Sequence, residues 1–405
     1  MKKTNHRDAK NEKGVQKKIV TDRRQETRPG RLLLSCAVIL ALTLAVVLII
    51  HNLPYQPYST GMTGASTDYE IGKVIKITEE SLEASTHQAD ILVGKQTLEV
   101  KMLTGEHKGE TLTVSNFLST YNSVVAKAGQ KLVVIVDSLD SGEFQARVYN
   151  YYRTPVIYFM GLVFLAALAL VGRLKGVMSG LGLIYTFVCV LLVFLPLVVR
   201  GFSPVWAAIM LVVMVTTAAM IFINGLSKKS FCAVLGTTSG VVLSGVILFL
   251  FNTAMHITGI NMEEAESLML ISQTTGLVVK DLLFAGILVA SLGAIMDVAM
   301  SIVSAMYEIH NNMPRLSIPE LFRMGINVGS DMIGTMSNTL ILAFAGTSLN
   351  MMILLYSYSI QYNQLMNMNR IGIEMAQALA GSLAIILTVP LTAAVTSRML
   401  KHKQE

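Results

Sequence analysis

Charge is what this chain has least of. Only 14% of its 405 residues are Asp, Glu, Lys or Arg, against about 25% in an ordinary soluble domain. That is too little to clothe a water-exposed fold of this length. Cysteine is scarce too. Cys36, Cys189 and Cys232 lie far apart, in or beside apolar runs, with no CxxC pair, which excludes a readable disulfide framework and leaves them as small core residues. The seven histidines (His6, His51, His87, His107, His256, His310 and His402) show no metal-ligand spacing, so neither metal nor cofactor is expected. Ser/His/Asp, zinc and nucleotide motifs are missing as well. "GEHKGET" (105–111) has a phosphate-loop flavour, but it lacks GK[ST] and does not lead into a helix, so it reads as a hairpin turn.

What is plentiful is apolar sequence. Hydrophobic residues make up 53% of the chain, 24 of them Met, and several runs reach the roughly 20 residues that span a bilayer. The sequence predicts an α-helical multi-pass membrane protein of about eight spans: 32–50, 155–172, 178–199, 203–223, 231–251, 281–303, 332–356 and 375–397. The net charge of +6 follows from topology rather than nucleic-acid binding. Lys and Arg gather in residues 1–31 and in alternate short loops, and the side richer in them is cytoplasmic. Both termini are then inside. Membrane lipid is the expected partner, together with a partner membrane protein or a second copy of the chain.

Residues 1–31 read as a disordered basic cytoplasmic tail, followed by "LLLSCAVILALTLAVVLII" (32–50). A signal peptide also has a basic start and an apolar middle, but this polar lead is long and no small-x-small cleavage site follows, which favours a retained anchor. Residues 51–153 differ in kind. "IGKVIKI", "KQTLEVKML", "ETLTVSNFL", "QKLVVIVDSL" and "FQARVYNYY" alternate polar and apolar positions, which means strands. "LTGEHKGE" and "DSLDSGE" supply turn chemistry between them. The segment predicts a small extracytoplasmic all-β barrel of OB or SH3 type. Residues 154–397 form the membrane domain and 398–405 a second cytoplasmic tail. Two further segments read as surface helices: 262–272, amphipathic or re-entrant, and 317–330, leading into the next span.

One position breaks the apolar rule. Asp297 stands inside "ASLGAIMDVAMSIVSAM" (290–306), where a carboxylate at a helix centre costs at least ~2.5 kcal/mol. On a helix, Asp297, Ser301, Ser304 and Glu308 share one stripe, with Gly293 a turn before. Asn327, Asp331, Thr335 and Asn338 form the same kind of stripe on the next span, with Gly334 beside it. The expectation is that both stripes face a shared interior as a proton or ion path. The competing reading is structural, a hydrogen-bonded helix clasp. Gly293, Gly325, Gly329 and Gly334 are expected to be close-packing residues, and Asn224, Asn252 and His256 to lie at the interface.

"GAIMDVAMSI" (293–302), "GSDMIGTMSNTLILAF" (329–344), "AGSLAIILTVPLTA" (380–393) and the "LTGEHKGE" turn resemble the YibE/F-like family of bacterial multi-pass membrane proteins, from about residue 70 to the end. The resemblance implies an integral membrane protein of bacterial origin in the cell membrane; it carries no established activity. "GAIMDVAMSIV" also looks like the Gly-x-x-x-Asp helix of resistance-nodulation-division pumps and of SecD/SecF translocase subunits, which place a large outer domain after their first helix. That likeness implies proton coupling at Asp297, with Gly293 before it. The second acid usual within two turns is missing, since Glu308 is three turns on. Three functions follow as alternatives: a transporter or permease component using Asp297 and Asp331; a non-catalytic scaffold binding a partner through the β-domain; and an intramembrane aspartyl protease, for which two facing aspartates would share a proton but no GxGD or YD context exists. No catalytic residue is assigned and the chain is expected not to be an enzyme.

Overall fold

A computed structural model describes residues 29–54, 65–85, 90–139, 144–262 and 264–401. The tail at 1–28, the last four residues and most of "DSLDSGE" lie outside these. By its internal contacts the chain divides into two compact units, residues 59–167 and the remainder.

The five alternating segments become β1 Ala65–Ala84, β2 Leu92–Met102, β3 Thr111–Leu118, β4 Lys131–Leu139 and β5 Phe144–Tyr151. They close into a barrel in the order β1-β2-β3-β5-β4, antiparallel except where β3 meets β5. This five-stranded order makes a small Greek-key barrel, as expected of the segment. Alternation places Val74, Leu98, Val100, Val114, Leu132 and Val134 in a closed interior, and burying apolar surface of this kind stabilises by ~25 cal/mol per Å². Two buried amides hold the long β3–β4 connection. Asn116 Nδ2 donates to the Gln96 side chain (2.9 Å) and to the Val124 carbonyl (2.7 Å), while Gln96 Oε1 accepts from the Ala126 N–H (3.0 Å).

The "LTGEHKGE" turn folds over Glu70, a buried carboxylate on β1 whose Oε1 accepts from the Glu106 N–H (3.1 Å). Gly105 has φ +81°, and a Cβ there would collide with the Glu70 carboxylate. Gly105→Ala should therefore destabilise the barrel by ~1–3 kcal/mol, through both strain and overlap. Urea unfolding of residues 59–152, followed by circular dichroism, measures it; an unchanged midpoint would show that the turn gives way freely.

The remaining elements are helical: α1 Pro29–His51, α2 Thr154–Val199, α3 Pro204–Asn224, α4 Lys228–Met255, α5 Ala265–Thr275, α6 Leu282–Asn312, α7 Ile318–Thr347, α8 Leu349–Ser357, α9 Tyr362–Met366 and α10 Asn369–Lys401. Among the described residues six helices are long and apolar enough to cross a membrane, and α7 with α8 makes a seventh candidate, bent by 62°. The protein is thus a membrane-embedded helical chain with a small β-barrel. One expected boundary changes. The surface helix at 317–330 and the span at 332–356 are replaced by one helix starting at Ile318 and a break at Ser348. Its start is fixed by a capping box, in which Ser317 and Glu320 exchange hydrogen bonds, with Pro319 in the first turn. The two spans expected at 155–172 and 178–199 are joined in α2, but Arg173 inside it is non-helical (φ 49°, ψ −135°). Beyond it Gly176 lies against the Leu168 carbonyl, although eight residues of straight helix would separate them by about 12 Å.

The core of the bundle is α10, which packs against α4, α6 and α7. On its α4 side, Gly236 and Gly240 sit against Thr392 and Thr388, all buried. Small residues let these backbones approach closely, as membrane interfaces require. α1 joins the same unit through Thr43, whose hydroxyl shares a hydrogen bond with Tyr185 (2.7 Å).

Candidate functional site

α6 and α7 are neighbours that run antiparallel. Met306 of α6 meets Gly325 of α7, and Ile302 meets Gly329; eleven residues further along each helix, Ser291 and Leu340 both meet Gly381 of α10. The register is therefore constant: a step along α6 is matched by an equal step back along α7. Carried to the acids, it sets Asp297 level with Gly334 and Asp331 level with Met300. The two carboxylates differ in height by three residues, about 4.5 Å. Asp297 is also the central residue of Leu282–Asn312.

The expectation that these stripes look into an internal gap is overturned by which faces pack. α6 buries Leu288, Leu292, Ile295, Ile302 and Met306; Asp297, two residues past Ile295, lies about 200° round the helix and is exposed. Glu308 is exposed on the same side, and Ser301 and Ser304 are half-buried. α7 buries Leu321, Gly325, Gly329 and Leu340 and exposes Asn327, Asp331, Thr335 and Asn338. Because both helices turn their apolar sides to α10, both polar stripes look away from the bundle. The glycines divide accordingly. A Cβ on Gly325 or Gly329 would overlap Met306 or Val389, whereas nothing approaches Gly293 or Gly334. The last two are therefore not packing residues within one chain; they belong to the exposed polar face.

That face differs from the rest of the bundle surface. α1 exposes Leu34, Leu42, Leu48 and Ile49, and α4 exposes Phe231, Val246, Phe249 and Leu250. Between Leu282 and Asn312, and between Pro319 and Leu340, no large hydrophobic side chain is exposed. α6 shows Gly286, Ala290, Gly293 and then Asp297. A lipid-facing span has no reason to present glycine and carboxylate in place of Leu and Phe, given the cost of a charge in hydrocarbon.

Two cavities lie elsewhere in this unit. One, of about 1110 Å³, sits in the elbow where α7 bends into α8, with apolar walls and Glu374 and Ser348 in its lining. Glu374 Oε2 and the buried Ser348 hydroxyl have no hydrogen-bond partner there. The other, of about 740 Å³, lies between α3, α4 and α6 and has Asn252, which is 1% exposed, in its lining. Sequence reading missed Glu374 and Ser348 because Glu374 stands one residue before an expected span and Ser348 in the short polar stretch 347–350 inside another; the only signal is that polar interruption of an apolar run. Among the described residues no group of three or more His, Cys, Asp or Glu could hold a metal ion.

Comparison with known families gives two matches that together cover the barrel and the bundle. The family model described as YibE/F-like protein matches residues 160–402, and that of the YibE/F family N-terminal domain matches residues 65–151. No curated protein and no solved structure matches the chain.

Proposed function

Because the chain belongs to the YibE/F-like family, whose activity is not established, we propose its function from the site itself: a transporter or permease component in which the α6–α7 face is a hydrated proton or ion path. The observation that carries this reading is the pair of carboxylates within one helical turn of the same height, on a face without large apolar side chains. Intramembrane acids by default mark ion and proton pathways, and the polar groups continue from them to Glu308 and Asn327 at one end of the helix pair. Counting the turn at Arg173 as a span boundary and α7–α8 as one broken span gives eight spans. The basic loops then leave both termini cytoplasmic and the barrel outside the bacterial cell membrane.

The N-terminal half of the α6 face is small rather than polar: Gly286, Ala290 and Gly293. Surfaces of this kind let a second helix approach closely, and a two-fold pair is the commonest oligomer. In this proposal a second copy of the chain closes the face there, and water occupies the half that begins at Asp297. Two cysteine variants, made with Cys36, Cys189 and Cys232 replaced, test it. Asn327→Cys should react with a membrane-impermeant thiol reagent at least ~10-fold faster than Leu48→Cys, which faces lipid, because the thiolate forms only in water. Ala290→Cys should give a disulfide-linked dimer. Equal, slow labelling of both thiols would remove the hydrated path; a monomeric Ala290→Cys would remove the second copy.

The partner-binding alternative draws on the barrel, where Tyr69 stacks edge-on against Tyr149 (5.0 Å) and Tyr121 and Phe117 are exposed. We do not propose peptide hydrolysis, because Asp297 and Asp331 lie on outward faces of their helices.

A further inference from the structure

The 740 Å³ cavity between α3, α4 and α6 has a polar end and an apolar end. Three helix termini converge at the polar end: Ser203 before α3, His256 after α4 and Asp281 before α6, with Lys280 and Thr258 beside them. The other end is walled by Val241, Val242, Val246, Ile209 and Leu288. From Asn252 to Val241 the slot follows eleven residues of α4, about 16 Å. Its polarity thus changes along the helix axis, from headgroup depth toward the hydrocarbon, as in a lipid molecule. Its apolar wall also continues onto exposed surface at Val242, Val246, Phe249 and Trp206, so a chain can slide in sideways from the bilayer.

Asn252 marks the junction of the two ends. It is 99% buried, yet neither Nδ2 nor Oδ1 has a hydrogen-bond partner. Leaving both groups unmade costs more than a typical bond returns, and an apolar side chain of similar size would fill the place. Asn252 lines the slot, so a ligand there is placed to take up both its donor and its acceptor. The start of α3 leaves the Val205 and Trp206 N–H groups without a helical partner, which favours phosphate, and Lys280 adds a positive charge at the rim. Asp281 and the end of α4 add negative character beside it, the complement of a head that carries an amine or hydroxyls beyond its phosphate.

We propose that this slot holds one glycerophospholipid, with its phosphate toward Lys280 and the start of α3, its glycerol-ester region on Asn252 and an acyl chain along Val246 and Val242. The site is separate from the α6–α7 face and does not rest on the transport reading.

Native mass spectrometry of the full chain in detergent, with phosphatidylglycerol and diacylglycerol as probes, tests it. The wild type should retain one phosphatidylglycerol after delipidation and re-addition, and diacylglycerol should not displace it. Asn252→Leu and Lys280→Ala should each weaken retention by about fivefold or more, the effect of losing one buried or charged hydrogen bond. Val246→Trp fills the slot from an exposed position without touching the buried amide, and should lower retention as far. Leu48→Ala, on the lipid face of α1, should leave it unchanged. Full retention in both Asn252→Leu and Val246→Trp would overturn the site; equal competition by diacylglycerol would overturn the phosphate contact.

Discussion

Asp297→Asn should lower proton-driven flux through protein reconstituted in liposomes by about two orders of magnitude, the low end of what a positioned proton-transfer group contributes. The substitution keeps size and hydrogen bonding and removes only the exchangeable proton. Asp297→Glu should keep a large part of the flux, because the face around it is open and Gly293 has nothing within contact distance. Asp331→Asn should act in the same direction. The two acids stand about 4.5 Å apart in height on neighbouring helices, so the double variant should be little worse than the worse single one. Groups that act as one unit are not additive, whereas independent sites multiply. A pH-sensitive dye inside the vesicles, with an imposed gradient, reads the result. Wild-type flux in Asp297→Asn would take that carboxylate out of the path, and multiplicative losses would separate the two acids. Elution of every variant as a single peak on size exclusion keeps misfolding apart from loss of transport.

The second large effect concerns stability. Gly329→Val should cost about 2–3 kcal/mol, the upper part of the range for overpacking, because its side chain would enter the space of Val389 and press on Ile302. Gly334→Val, five residues on in the same helix, should change the stability of the single chain by no more than ~0.5 kcal/mol, as for an exposed position. Thermal unfolding in detergent at low protein concentration measures both. Equal losses at the two positions would mean that the exposed face is covered within one chain after all, and that the polar stripes do face an interior.

The parts of the fold that could be read in advance were those carried by periodicity. Alternation over 71–77, 95–103, 110–118, 130–139 and 144–152 located all five strands, because burying one face of a sheet forces a period of two. The apolar runs located the membrane helices for a similar reason: in hydrocarbon every backbone group must bond within its own segment. Their ends were harder. Nothing in composition distinguishes a span that stops from one that bends, so the break at Ser348 came only from the structure, whereas the gap expected between 172 and 178 already held Arg173. Grouping Asp297, Ser301, Ser304 and Glu308 on one stripe, and Asn327, Asp331, Thr335 and Asn338 on another, needed only helical geometry.

What lay beyond the sequence was the direction in which those stripes point. Local sequence fixes which residues share a face of a helix, because 3.6 residues per turn is a property of the backbone itself. The orientation of that face is settled by competition among all the helices for close packing. Here Gly325 and Gly329, which let α7 settle on Met306, Ile302, Val389 and Ala393, drew one side of α7 inward and so turned Asp331 outward. Gly293 and Gly334, the same residue type in similar surroundings, were left without neighbours. A glycine permits close approach, but whether another helix takes the space depends on residues distant in the chain. The same holds for Asn252: its polarity is visible in the sequence, while its burial beside the 740 Å³ cavity required α3, α4 and α6 to be brought together.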